Sequence, residues 1–496
     1  MPGKAPACAT SRVDAGIPQV RAHRSPGGCV GALLLASLLA CAPQSGTRPS
    51  TSGDALVWRF LDPSLACDDE GNVYAAAAEQ FDTYAEIFVA TSNRYGEEWN
   101  TQFHYVNRSR RGDRGRPLLA TGAPGEVFVL WEDTRDGRIG LYLNRSLDGG
   151  RTWLDADVRV DVDAHPSRRV AHPALECDER GNVYALWRDD REGFDAFYFA
   201  SSTDRGASWS MQPARINRAD PGRKSAPTLG LDEDGNLYVA WIQLDGGEPV
   251  LYFNTSSNQG RTWLYEEIRL SRGGGVTRMS LPQLCADRSG TVLVTWLELR
   301  DGRAEVRLRR SPDRGQTWDP QPLILAAAGG PYFNPSPPQI SCDPHGHVYV
   351  AWQLQTSDGG PIFVVKSSDD SGRSFTETRF PGSGIGRVPE IDLFAEPRVT
   401  PFRMATDETG NVYIAWLSGT ASRPDVGFDR VSNYGRTWLG LARAVGTAGH
   451  VPLGPESPLV CADSFGHVYL LWSDGATLTA AASPFYGDSG WRYEHF

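Results

Sequence analysis

Three arginines occupy one position of a recurring phrase: Arg135 in LWEDTRDGR, Arg191 in LWRDDREGF and Arg300 in TWLELRDGR, each ten residues after a glycine. A guanidinium presents a planar fork of donors, so three of them aimed at one point would grip an anion. Each also stands near carboxylates (Asp133 and Asp136, Asp190 and Glu192, Glu298 and Asp301), and a local salt bridge would satisfy it without any ligand. The local account is favoured, because the chain holds 46 arginines against three lysines, so any one loop arginine carries little weight. A second chemistry needs a hydroxyl nucleophile and a base. Tyr332 in GGPYFNPSPP, with Glu390 or Glu396 of GIGRVPEIDLFAEPRVTP, is the pairing that can be assembled, and Arg387 and Arg398 flank those carboxylates. The run RSRRGDRGR adds a local basic patch of Arg108, Arg110, Arg111, Arg114 and Arg116 that suits an anionic partner.

Whatever positions these groups is a repeat. Glycines recur at Gly71, Gly125, Gly181, Gly235, Gly290, Gly346, Gly410 and Gly466, at intervals of 54 to 56 residues with a single one of 64. Eight residues before the glycine stands a proline, with Phe402 as the departure; six after it stands a tryptophan, with Ala77 as the departure. A second aromatic follows at 28 residues in six copies (Trp99, Trp153, Trp209, Trp263, Trp318, Trp438), at 29 in Phe375 and at 25 in Trp491. Rigid spacing inside a unit and variable joins between units define one structural module.

Each unit holds β-rich runs such as PALECD, NVYALW and DAFYFAS, with a fourth after the second aromatic, as in SMQPARIN. NVYALW is apolar on both alternating faces, as a strand covered on both sides must be. Four strands per unit is the count of a propeller blade, so the expected fold is all-β, a single propeller of eight four-stranded blades over residues 54–496. The phrases DERGN and DEDGN predict tight turns in which Gly181 and Gly235 take positive φ. A calcium loop needs further ligands and a closing glutamate that DEDGNLYVAW lacks, so no metal is expected, and no cofactor either. Fourteen of the fifteen tryptophans fall on two repeat positions, which marks them as core plugs rather than sugar platforms.

The second aromatic closes an eight-letter phrase: SLDGGRTW, STDRGASW, SPDRGQTW and SDDSGRSF, with Asn258 replacing the aspartate in SSNQGRTW, and SNRYGEEW, VSNYGRTW and SPFYGDSGW more degenerate. This resembles the Asp-box, or BNR repeat, of the sialidase superfamily, Ser-x-Asp-x-Gly-x-Thr-Trp, and the resemblance covers residues 54–496. It implies a sialidase-type propeller whose boxes lie between third and fourth strands, on the face opposite the active site. Catalytic members of that family bind the substrate carboxylate with three arginines and use an Asp acid and a Tyr-Glu nucleophile pair. Their first arginine belongs to an Arg-Ile-Pro phrase. Here the residue two before the repeat proline is Leu61, Gly115, Ala171, Ser225, Ser280, Ser336 or Glu456, so no blade offers that arginine in register. The family's AFAEQR phrase is echoed around Arg135, Arg191 and Arg300.

Residues 1–40 combine a basic stretch with the apolar run GALLLASLLA and predict an export signal. LLAC resembles a bacterial lipobox, which puts a lipid on Cys41 and makes residues 41–53 a flexible tether, the only membrane attachment expected. The net charge of −11, or −14 without the first 40 residues, disfavours nucleic acid. Of eight cysteines, Cys67, Cys177, Cys285, Cys342 and Cys461 remain beyond Cys41, all in one repeat phrase, and the expectation is small buried hydrophobes rather than disulfide partners.

The expected function is an envelope lipoprotein that binds a glycan or an envelope protein on the axial face without hydrolysing it. Two alternatives remain: an exo-acting glycoside hydrolase of the sialidase type, and an assembly scaffold for an envelope or electron-transfer complex.

Overall fold

The computed structural model describes residues 60–496 apart from 82–83, 101–103, 163–168, 219–221, 272–273, 329–333, 356–360, 383–401, 421–422, 441–442, 448–457, 474–476 and 485. Its strands form eight antiparallel sheets of four or five strands, each sheet built from one continuous stretch of chain. The first strand of each sheet (Phe60–Cys67, Arg114–Thr121, Val170–Cys177, Thr228–Leu231, Gln283–Ala286, Gln339–Cys342, Phe402–Thr406 and Leu459–Ala462) touches the first strand of the sheet before and after it. Leu459–Ala462 touches Phe60–Cys67, so the circle shuts and the protein is an eight-bladed β-propeller. The described strands of blade 1 start at Phe60 and those of blade 8 end at His495, and neither blade borrows a described strand from the other. Residues 55–60, ALVWRF, form a β-rich run that could add a ring-closing strand, and all but Phe60 lies outside the described residues.

Burial explains the spacing rules. Trp131, Trp187, Trp241, Trp296, Trp352 and Trp416 are no more than 1 % exposed. Trp187 of blade 3 packs with Leu118, Leu130 and Leu143 of blade 2, so each indole fills the wedge between sheets. Removing an indole from water contributes up to roughly 4 to 6 kcal/mol at about 25 cal/mol per Å². The second aromatics are only half-buried, which corrects the expectation of plugs: Trp153, Trp209, Trp263 and Trp318 cap the outer edges of the interblade clusters.

The eight-letter turn folds as its residue types require. Ser146 Oγ accepts from the Gly150 N–H at 2.8 Å and donates to Asp148 at 2.7 Å. Asp148 in turn accepts from the Thr152 N–H at 2.8 Å and its hydroxyl at 2.6 Å. Ser202, Ser256, Ser311 and Ser368 head the same arrangement. The turn after the first strand carries a staple that sequence reading missed. Asp178 accepts from the Asn182 N–H at 2.9 Å, the Asn182 amide at 2.7 Å and the Tyr184 hydroxyl at 2.9 Å. The same Asp, Asn and Tyr recur around Asp68, Asp232 and Asp407, and a histidine replaces Asn at Asp343 and Asp463.

The cysteine expectation is corrected as well. Cys285 and Cys342 form a disulfide between blades 5 and 6, with Cα atoms 5.7 Å apart. Repeat positions offset by one residue become neighbours around a closed hub, so sharing a phrase places cysteines together instead of keeping them apart. Cys67, Cys177 and Cys461 are thiols.

Candidate functional site

The three candidate arginines are engaged inside their own blades. Arg135 pairs with Asp133 at 2.6 Å and Asp157 at 2.7 Å, and its guanidinium lies 3.9 Å over the Tyr142 ring. Arg191 pairs with Asp189 and lies 3.8 Å over Tyr198. Arg300 pairs with Glu298 at 2.8 Å. The carboxylate is in each case two residues past the core tryptophan and also accepts its indole N–H, at 3.1 Å for Trp131, 3.0 Å for Trp187 and 2.8 Å for Trp296. The local salt-bridge account therefore holds, but with Asp189 as the Arg191 partner rather than Asp190 or Glu192. These phrases brace the core edge.

Tyr332, Glu390, Glu396, Arg387, Arg398 and Cys41 lie outside the described residues. Thr376–Pro381, just before the carboxylate-bearing phrase, is the outer strand of blade 6. In the basic run, Arg108, Arg110 and Arg111 are exposed. Arg108 Nε donates to the Leu154 carbonyl at 2.8 Å, and Arg110 sits 3.8 Å from Glu86. Arg114 turns inward onto Asp133 at 3.2 Å, both side chains fully buried.

Arg116 also turns inward, at the join-side end of the hub. On three successive blades the residue before the repeat proline is a non-glycine in the left-handed region: Asp62 at φ 51, Arg116 at φ 54 and His172 at φ 57. Each sits at or beside a break in strand register, between Leu61 and Ser64, between Gly115 and Leu118, and opposite Leu186 and Arg188. In blades 4, 5 and 6 a serine two before the proline instead bonds the second strand, Ser225 to the Ile242 N–H, Ser280 to Leu297 and Ser336 to Gln353, each at 3.0 Å. A bent backbone costs free energy that the serine version avoids, and such strain clusters where side chains must be aimed.

The bends bring basic groups together. Arg116 is 7 % exposed and lies 3.5 Å from Glu132, with Nη2 buried and without a hydrogen-bond partner. His172 is 7 % exposed with Nδ1 likewise unpartnered. Burial first, then Arg188, Arg116 and Arg169, push its pKa down to about 2, so the ring stays neutral in any physiological medium. Arg188 donates to the Lys224 carbonyl at 2.7 Å and approaches Asp195 at 3.6 Å. Two guanidiniums near a neutral imidazole, with a buried N–H and ring nitrogen unsatisfied, are a donor set suited to an oxyanion. Sequence reading placed Arg116 only in the basic patch and missed His172, because it sought arginine two before the proline; in both blades the buried basic residue is the one directly before it.

The opposite end of the hub is acidic. Asp69, Glu179 and Glu233, one on each first turn, are within electrostatic reach of one another or of Glu408, opposed by Arg288. Burial and then Glu408 raise the Asp69 pKa to about 6. Deeper in the hub, on the strand Val170–Cys177, burial alone raises Glu176 to about 8. A carboxyl whose native pKa exceeds the unfolded value near 4.5 holds an extra proton in the native state, so stability falls as pH rises from about 4.5 to 8. Glu176 is still half-exposed along the hub. After discounting for screening, Glu176→Gln is expected to stabilise by about 2 kcal/mol at pH 8.5 and not at pH 4.5. Urea titrations of both proteins at the two pH values would show it; equal gains at both would exclude ionisation as the cause.

Fold and site together define an eight-bladed propeller with Arg116, Arg169 and Arg188 near His172 at one end of the hub and Asp69, Glu179 and Glu233 at the other. No protein-family model and no curated protein matches the chain. Among solved structures it is similar to a Hadza microbial sialidase at 17 % identity and a TM-score of 0.37, covering 61 % of this chain and 64 % of that one. It is similar to an ulvan lyase at 11 % identity and 0.44, covering 73 % and 92 %. The Penicillium chrysogenum α-L-arabinanase follows at 15 % and 0.38, covering 67 % and 94 %.

Proposed function

We propose that this protein is an exported, lipid-anchored propeller of the Asp-box type that binds acidic glycans at its join-side mouth without cleaving them. The observation that carries the reading is the run of three left-handed, non-glycine residues, Asp62, Arg116 and His172, which the serine-stapled blades 4, 5 and 6 do without. Arg116 and Arg188 supply the anion contacts, and the neutral His172 supplies a hydrogen bond to a hydroxyl or carboxylate. Non-catalytic binding is favoured because Arg135, Arg191 and Arg300 are committed to Asp133, Asp189 and Glu298.

Titration calorimetry with sialyllactose, a glucuronate-ended oligosaccharide and lactose is the test. The acidic sugars are expected to bind and lactose not to. Arg116→Ala and Arg188→Ala each weaken binding by about tenfold or more, the loss of one charge-assisted hydrogen bond. Affinity stays level between pH 5 and 8, since His172 does not titrate there. Equal affinity for lactose would overturn the reading, and turnover of a fluorogenic sialoside would replace it with the hydrolase alternative.

A further inference from the structure

The disulfide between blades 5 and 6 obeys a register rule. Cys285 stands five residues before its repeat glycine, and Cys342 four before the next one. The same two positions meet elsewhere around the hub. Ser341, five before Gly346, shares a 2.8 Å hydrogen bond with Thr406, four before Gly410. Ala120, five before Gly125, packs in one cluster with Cys177, four before Gly181.

Blade 8 precedes blade 1 around the circle. Cys461 is five before Gly466, and Cys67 is four before Gly71. Both pack in the cluster that joins those two blades, Cys461 within it and Cys67 against it. This is the one blade junction that no continuous chain crosses, and no described strand is exchanged there.

We infer that Cys67 and Cys461 are a second disulfide site, which locks the first blade covalently to the last. The bond forms by exchange with a low-molecular-weight disulfide such as oxidised glutathione. The Cys67 thiolate attacks one sulfur of that donor and expels a thiolate; the Cys461 thiolate then displaces the second donor sulfur from the mixed disulfide. The protein loses two protons and two electrons, and the donor is reduced to two thiols. Cys67 is the more accessible of the pair and takes the first step. Burial holds its thiol protonated in the closed ring, so exchange proceeds chiefly while the chain folds.

The full-length chain, reduced and unfolded, is refolded in a glutathione redox buffer, its remaining thiols are alkylated, and a non-reducing digest is mapped by mass spectrometry. A Cys67–Cys461 linked peptide is expected beside Cys285–Cys342, with Cys177 alkylated. Both Cys67 and Cys461 recovered alkylated while Cys285–Cys342 is linked would overturn the inference, as would either residue linked to a different cysteine. Cys67→Ser and Cys461→Ser are each expected to melt about 5 °C below the parent under oxidising conditions, with the double variant no lower. Under reducing conditions Cys67→Ser and the parent should coincide; a gap that persists there is a packing effect and counts against the lock. Ala120→Cys is the calibrating variant: the same register should link it to Cys177, and its failure while the ring-closing pair forms would refute the register rule.

Discussion

Asp133→Ala is expected to lower stability by about 4 kcal/mol, more than any surface change in this chain. Asp133 is 0 % exposed, accepts the Trp131 indole N–H at 3.1 Å, and faces Arg114 at 3.2 Å and Arg135 at 2.6 Å. Truncation leaves a fully buried guanidinium without its counter-charge and an indole N–H without its acceptor, and both penalties are paid in the native state alone. Asp133→Asn, which keeps an acceptor and removes the charge, should fall between the parent and Asp133→Ala. Asp136 provides the contrast: its partner Arg159 is 43 % exposed, so Asp136→Ala should cost under about 1 kcal/mol. Guanidinium unfolding of the four proteins measures this, and equal losses at Asp133 and Asp136 would show that the Trp, carboxylate and Arg unit does not brace the blade edge.

The same unit shows what could be read ahead of the coordinates. Glycine and proline at set distances specify the blade because each satisfies a constraint within one module, a positive-φ turn and the start of the inner strand, while the tryptophan was legible because its wedge recurs from junction to junction. Hydrogen bonds inside the eight-letter turn were legible for the same reason, since Ser146, Asp148 and Thr152 serve their own loop. Contacts between modules were not. That Cys285 meets Cys342 and Ser341 meets Thr406 depends on the angular offset between adjacent hub strands, which shifts contact by one residue and leaves no mark in either copy. The inward turn of Arg116 and the role of His172 were hidden by a comparable shift, here a register break inside the strand pair. Asp189 was overlooked beside Asp190 because alternation decides which carboxylate faces the core, and that follows from Trp187 two residues earlier. Tyr332, Glu390 and Glu396 lie outside the described residues, so the nucleophile pairing proposed from sequence has gained no support.

Interblade contact on the turn side supplies the second large effect. Gly260, in the turn of blade 4, has φ +79, and a Cβ there would stand 1.9 Å from Phe199 Cε1 of blade 3. Phe199 is 2 % exposed and held edge-on to Trp263 at 5.2 Å, so it cannot swing clear. Gly260→Ala therefore combines backbone strain with overpacking at a blade junction, and about 3 to 4 kcal/mol of destabilisation is expected. Gly246 separates the two causes: its φ is +61, yet nothing lies within 4 Å of the added carbon. Gly246→Ala should cost about 1 kcal/mol, from conformation alone. Should Gly260→Ala lose no more than Gly246→Ala in urea titrations, the turn glycines would be conformational hinges only. A surplus of about 2 kcal/mol or more means that blades seat on one another through these glycines, backbone against the aromatic ring of the neighbour.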